Sequence, residues 1–351
     1  MSKSDHVPQI DALRGIAALV VAFVFHQHYL SGDLNNGPLN GLPVFTWLHR
    51  YGWTMVDLFF VISGFIMCHV YLRDPDNPRP APSALRFANA RFARLYPLHL
   101  VALLVTAVVL SFGIPPGYDA VTPDAWHFTL NLLMLQQTPL AEGMSFDKPS
   151  WSIAVEIYCY AAFYVLIRWR PRWLTGVAVA IVIAAALAAM PEGPMERHAA
   201  RGFCGFFSGV LLWRWGRYVP TLSLPFLMAV PIWFLGHLHV FSKGCLLSLT
   251  TYPALVLLAL RTNWLEGKVF AWLGSRSYAI YLVHAPIYYA GSLLFFDGQR
   301  VSGGTVGEEL LPCFAAILIT AHFSYKYLED PARRWLRMRP EKTAEPALAA
   351  A

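Results

Sequence analysis

Apolar runs recur along the whole of this 351-residue chain. Each is roughly 15 to 22 residues long, enough to cross a bilayer at about 1.5 Å of rise per residue. Ten can be read, at about 12–31, 53–72, 94–113, 151–168, 173–190, 202–217, 222–239, 245–260, 270–294 and 307–327. In lipid only helices and closed barrels satisfy every backbone donor and acceptor, and these runs are continuous rather than alternating. The expected fold is therefore all-α, a polytopic membrane protein with about ten transmembrane helices. Charged residues make up 14% of the chain, against about a quarter in soluble domains.

Basic residues set the expected orientation. With ten spans and the N-terminus inside, the inner side holds 21 of the 27 Lys and Arg. The outer connections hold Arg50, Lys148, Arg197, Arg201, Lys243 and Arg300. The positive-inside rule then puts both termini in the cytoplasm. The first run carries Arg14 and is expected to be a permanent helix rather than a cleaved signal. One membrane domain is expected over 1–335, followed by a basic, then Ala-rich, disordered cytoplasmic tail over 336–351. The net charge of +6 needs no nucleic-acid partner. The five cysteines lie in the apolar runs with no CxxC pair, which suggests small packing residues and no metal site. Between the third and fourth runs, Trp126 to Gln137 reads as an interfacial or re-entrant helix.

Four groups stand where lipid-facing residues should not be ionisable: His26, Asp57, Glu156 and His284. Such groups cost at least a few kcal/mol at bilayer depth unless they are paired or face a wet cavity. His26 follows Arg14 by twelve residues, roughly 18 Å along a helix. Asp57 falls near the same outer level on the next, antiparallel run, so an Asp57–His26 hydrogen bond is expected, fixing the imidazole tautomer. Alternatively, Asp57 caps its helix and His26 sits among headgroups. Ser152, Glu156 and Tyr160 share a helical face, as do Ser277, Tyr281, His284 and Tyr288. Ser63-Gly64 either allows close helix packing or leaves room for a thin substrate. His99 and His322 look structural. Arg91 and Arg94, with Arg14, match a polyphosphate at the inner face, where topology alone would also place arginines.

Ordered blocks across residues 10–334 resemble the acyltransferase-3 family of integral membrane acyltransferases. They are Ile10-Asp11-Ala12-Leu13-Arg14-Gly15, Val56-Asp57-Leu58-Phe59-Phe60, Arg91 to Pro97, Pro149-Ser150-Trp151-Ser152 to Glu156, Gly274 to Pro286, and Tyr327 to Arg334. The resemblance implies transfer of an acyl group, usually acetyl, from cytoplasmic acyl-CoA to a hydroxyl of an extracytoplasmic or lipid-linked carbohydrate. The setting would be the bacterial inner membrane. It implies that Arg14, Arg91 and Arg94 hold the CoA phosphates and that Ser63 and Gly64 border the acyl-pantetheine path. His26 would be general base or transient acyl acceptor, oriented by Asp57 or Glu156. Trp151, Ser152, Tyr281 and His284 would line the acceptor site. His26 stands one residue further from Arg14 than the family spacing, with His28 in reserve. A transporter or flippase for a lipid-linked sugar is the alternative, disfavoured by the lack of a visible repeat. A non-catalytic scaffold leaves the polar stripes unexplained.

Overall fold

A computed structural model describes residues 7–38, 41–118, 120–169, 171–189, 197–234 and 242–336. Among them the chain is helical with no strand. The helices are α1 (Pro8–Leu19), α2 (His28–Ser31), α3 (Pro43–Tyr51), α4 (Met55–Tyr71), α5 (Ala84–Phe112), α6 (Ala125–Leu132), α7 (Trp151–Trp169) and α8 (Leu174–Ala188). They continue with α9 (Arg197–Trp215), α10 (Leu224–Phe234), α11 (Lys243–Leu249), α12 (Thr251–Leu260), α13 (Lys268–Phe296), α14 (Gly307–Ser324) and α15 (Asp330–Leu336). Proline at the first turn of α1 and α3 presets the backbone where no donor is lost.

Six helical stretches are long and apolar enough to cross a membrane: Pro8–Ser31, Pro43–Tyr71, Ala84–Phe112, Lys148–Trp169, Lys243–Leu260 and Lys268–Phe296. Two shorter apolar helices span Leu174–Ala188 and Thr221–Trp233. The runs expected at 202–217 and 307–327 fall on α9 and α14. Of the run 222–239, residues 235–239 lie outside the described residues, as does 337–351 of the expected tail. The helix expected from Trp126 is shorter, ending at Leu132, with Asp124 as its N-cap accepting from the His127 amide.

Two tight helix pairs organise the core, α1 against α13 and α4 against α9. Small residues make both possible. A β-carbon on Gly274 would come within 2.4 Å of the Asp11 carbonyl, and one on Gly64 within 1.8 Å of the Phe206 carbonyl. Lipid supplies no hydrophobic drive between helices, so this close backbone approach is what van der Waals packing uses. All five cysteines are buried and free.

The segment between α5 and α7 folds over one end of the bundle. His99 on α5 donates through Nε2 to Asn131 O at 3.0 Å. Tyr158 on α7 donates to Met134 O at 2.7 Å. These bonds tie the cap to two spanning helices and give His99 its structural role.

Candidate active site

Between α1, α4, α5, α7 and α13 lies a cavity with about 70 Å³ of space that water can reach. Its lining includes Arg14, Arg91, Arg94, Ser63, Glu156, Tyr160, Ser152 and Tyr281. The three arginines thus converge. Arg14 leans on Asp11 at 3.5 Å. The Arg91 guanidinium lies 5.6 Å from both the Tyr71 and the Tyr160 ring centres, and its Nε is buried without a hydrogen-bond partner. A cation held by aromatic faces, with no carboxylate partner among the described residues, is ready for an anion. Deeper in, Ser63 and Tyr160 each donate to Glu156 Oε1 at 2.5 Å.

The polar lining continues toward the C-terminal end of the first helical stretch, where His26 lies. Ser152 Oγ and the Tyr281 hydroxyl are 2.9 Å apart, and Tyr281 donates to Pro149 O at 3.0 Å. The Tyr281 ring centre is 6.0 Å from that of His284. His284 Nε2 lies 2.8 Å from His26 Nδ1, both residues being buried. His284 Nδ1 faces the Ile280 and Tyr281 carbonyls without a well-formed hydrogen bond. Those carbonyls favour a proton on Nδ1, which leaves Nε2 to accept from His26 Nδ1–H. His26 Nε2 then carries the lone pair, and it makes no hydrogen bond among the described residues. Tyr29 stacks on His26 at 4.4 Å, and Lys148 Nζ sits 5.2 Å from the Tyr29 ring centre.

A π-helical turn, Val20–Phe25, precedes His26. It absorbs one residue more than an α-turn. This is the physical reason for the long Arg14–His26 spacing: the extra residue is taken up locally and the imidazole still faces inward. His28 opens α2 instead, its ring bonded to Phe25 O at 2.8 Å. It is therefore His26 that meets His284.

Four expectations are corrected. Asp57 does not bond His26. Its two oxygens go to Arg201, at 3.1 Å to Nε and 2.8 Å to the terminal nitrogen, with the guanidinium 4.3 Å from the Trp53 ring centre. A fully buried carboxylate needs a cation more than an imidazole can supply, and α9 brings one. Glu156 does not orient His26 either, being bound to Ser63 and Tyr160. Gly64 faces α9 rather than the cavity. Trp151 packs on Phe60 and on His198, at centroid distances of 6.0 and 4.7 Å, and is not part of the cavity lining. Ser150 Oγ receives Gln136 Nε2 at 3.3 Å.

Arg201 was legible only as an outer basic residue, although an arginine at the rim of an apolar run opposite Asp57 was a signal. Asp147 gave none. It is buried with neither oxygen bonded among the described residues, and burial holds its carboxyl well above the usual range. Glu329 ends a second π-turn beyond the 307–327 run. Burial raises it to about 7 against the opposing pull of Arg333, Arg94, Arg14 and Arg276. Among the described residues no cluster of His, Cys, Asp or Glu could hold a metal ion.

Comparison with known proteins bears on this site. The family model described as "Acyltransferase domain" matches residues 7–325. The acyltransferase MdmB of Streptomyces mycarofaciens is 27% identical, over 96% of this chain and 95% of that protein. The exopolysaccharide production protein ExoZ of Rhizobium meliloti is 26% identical, over 81% and 90% respectively. The peptidoglycan O-acetyltransferase OatA of Listeria monocytogenes is 23% identical over 94% of this chain, which spans 56% of that longer protein. No solved structure matches the chain.

Proposed function

This chain belongs to the acyltransferase-3 family of membrane acyltransferases, and from that premise we propose that it moves an acetyl group from cytoplasmic acetyl-CoA to a hydroxyl of an extracytoplasmic or lipid-linked carbohydrate. It would do so in a bacterial inner membrane, with ten spans, both termini cytoplasmic, and residues 1–335 forming one catalytic domain. The transporter reading gives way to the family assignment. One observation carries the proposal. A polar path runs from three converging arginines, past Glu156 and Ser63, through Ser152 and Tyr281, to the His26–His284 pair.

Arg14, Arg91 and Arg94 hold the CoA phosphates at the inner end, where guanidinium forks match phosphate oxygens. Ser63, Glu156 and Tyr160 form the polar wall along which the pantetheine arm lies. The acceptor hydroxyl approaches His26 from the side of Tyr29, with Ser152 and Tyr281 beneath. His26 Nε2 takes the hydroxyl proton as the oxygen attacks the thioester carbonyl. The carbon–oxygen bond forms, the carbon–sulfur bond breaks, and the proton on His26 passes to the departing thiolate. His284 keeps His26 Nδ1 protonated throughout, so the Nε2 lone pair faces the substrate before transfer and the Nε2–H faces the thiolate after it. The relatives named for exopolysaccharide production and peptidoglycan O-acetylation support a glycan as acceptor.

The test is binding of acetyl-CoA and dephospho-CoA to the detergent-purified protein, wild type and Arg91→Ala. The expected result is saturable binding that weakens on loss of either the arginine or the 3′-phosphate. A folded wild type that binds neither ligand would overturn the donor assignment. Initial-rate patterns separate direct transfer, which gives intersecting lines, from an acyl-histidine relay, which gives parallel ones.

A further inference from the structure

The π-turn before His26 leaves its own mark on the backbone. The His26 amide reaches back five residues to Val21 O at 2.9 Å. In an α-helix that amide would bond Ala22 O. Ala22 O thereby loses its regular donor at a buried position, where an unpaired carbonyl costs free energy comparable to a lost hydrogen bond. Tyr288 supplies the replacement. Its hydroxyl donates to Ala22 O at 2.8 Å, and the side chain is fully buried. Side chains also serve the next freed carbonyls: a ring nitrogen of His49 lies 3.0 Å from Val24 O, and one of His28 2.8 Å from Phe25 O.

Helix geometry shows what the turn does. Twelve residues of straight α-helix, at about 100° each, would rotate His26 about 120° away from the face of Arg14. Eleven residues would leave the two within about 20° of one another. A turn that absorbs one extra residue restores the second arrangement. Tyr288 stands one helical turn beyond His284 on α13, so the same helix face holds the imidazole of His26 and the backbone turn that aims it.

We infer that Tyr288 is a positioning residue for His26: its hydroxyl, given to the Ala22 carbonyl, holds the π-turn that directs the imidazole at His284. The inference rests on the reading of His26 as the proton acceptor. Tyr288→Phe removes only the hydroxyl. Misplacement of a catalytic group by about 1 Å costs on the order of 10²-fold. The expected result is therefore a fall of roughly ten- to a hundredfold in turnover, with the KM for acetyl-CoA unchanged.

The decisive experiment combines Tyr288→Phe with deletion of Val24, which returns the segment to α-helical register. Thiol release from acetyl-CoA is measured for wild type, both single variants and the pair. In parallel, the rate at which diethyl pyrocarbonate modifies His26 is followed by mass spectrometry, a readout independent of turnover. The deletion variant should retain transfer, and in it Tyr288→Phe should be silent. In the undeleted chain Tyr288→Phe should speed modification of His26, as its ring loses His284, and leave that of His322 unchanged. Para-aminophenylalanine at position 288, which keeps a donor in place, should restore both readouts whether or not the deletion variant folds. Activity within twofold of wild type together with unchanged His26 reactivity in Tyr288→Phe would overturn the inference. So would an equal loss in the deleted background. A wild type that releases no thiol would sink the donor assignment, while the His26 reactivity would still decide the role of Tyr288.

Discussion

The arginine end and the histidine end of the path, proposed above to be its inner and outer ends, treat charge in opposite ways. At the inner end the cations are left short of partners: Arg91 Nε is unbonded, and three guanidinium groups face a cavity holding one carboxylate, Glu156. At the outer end charge is consumed. Asp57 and Arg201 cancel one another in a two-point pair beside Trp53, and the groups left to do chemistry are two imidazoles bonded to each other. An excess of one sign in a low-dielectric cleft draws in an anion of the other sign. A neutral imidazole at the other end can take a proton from a hydroxyl. The contrast fits a polyanionic donor held inside and a neutral hydroxyl activated outside.

Two substitutions at the outer end test this division. His26→Ala should lower transfer by a factor on the order of 10² to 10⁴, the range of general-base contributions, while melting and acetyl-CoA binding stay as in wild type. Loss of donor binding in that variant would break the separation of the halves. Asp57→Asn should do the reverse. Stranding Arg201 without its counter-charge should cost about 3–5 kcal/mol of stability, visible as an earlier thermal transition in detergent. Replacing both partners, Asp57→Leu with Arg201→Met, should recover most of it. If Asp57→Asn melts like wild type yet loses transfer, Asp57 belongs to the chemistry after all.

Much of this was legible beforehand, for reasons that differ by residue. The long apolar runs follow from backbone physics in lipid, so the all-helical fold and the position of most helices could be read directly. The convergence of Arg14, Arg91 and Arg94 was readable because all three sit at the same end of their runs. Partner choice was not. Asp57 could be assigned a depth but not a neighbour, since the rotation of each helix about its axis is set by small-residue notches such as Gly64 against Phe206 O. The same uncertainty hid the His26–His284 pair, although both residues had been singled out. The π-turn was foreshadowed only by one surplus residue between Arg14 and His26.

At the inner end the effects are smaller. Arg91→Ala should weaken acetyl-CoA binding roughly ten- to a hundredfold, the worth of one charge-assisted phosphate contact, with acceptor preference unchanged. Equal affinity for both proteins would mean that the unbonded guanidinium serves packing on Tyr71 and Tyr160.

Glu329 refines the picture of the inner end most finely, because it is the acid that four arginines surround. Its carboxyl titrates at about 7 when folded against 4.5 as a free side chain, burial outweighing Arg333, Arg94, Arg14 and Arg276. Folding therefore favours the protonated form. Its contribution is fully present below pH 4.5 and is lost as pH rises through about 7, since over that interval the folded state binds the extra proton. Glu329→Gln, neutral at every pH, should flatten that slope and melt higher than wild type at pH 8. The ceiling is about 3 kcal/mol, and water entry with relaxation of the long arginines brings the gain to on the order of 1 kcal/mol. Phosphates seated on Arg14 and Arg94 would remove part of the pull that opposes burial. Donor binding should then draw a proton onto Glu329, and acetyl-CoA affinity should fall above pH 7 in wild type but not in Glu329→Gln. A pH-independent affinity in both would place the phosphates away from Glu329, on the Arg91 side of the cavity.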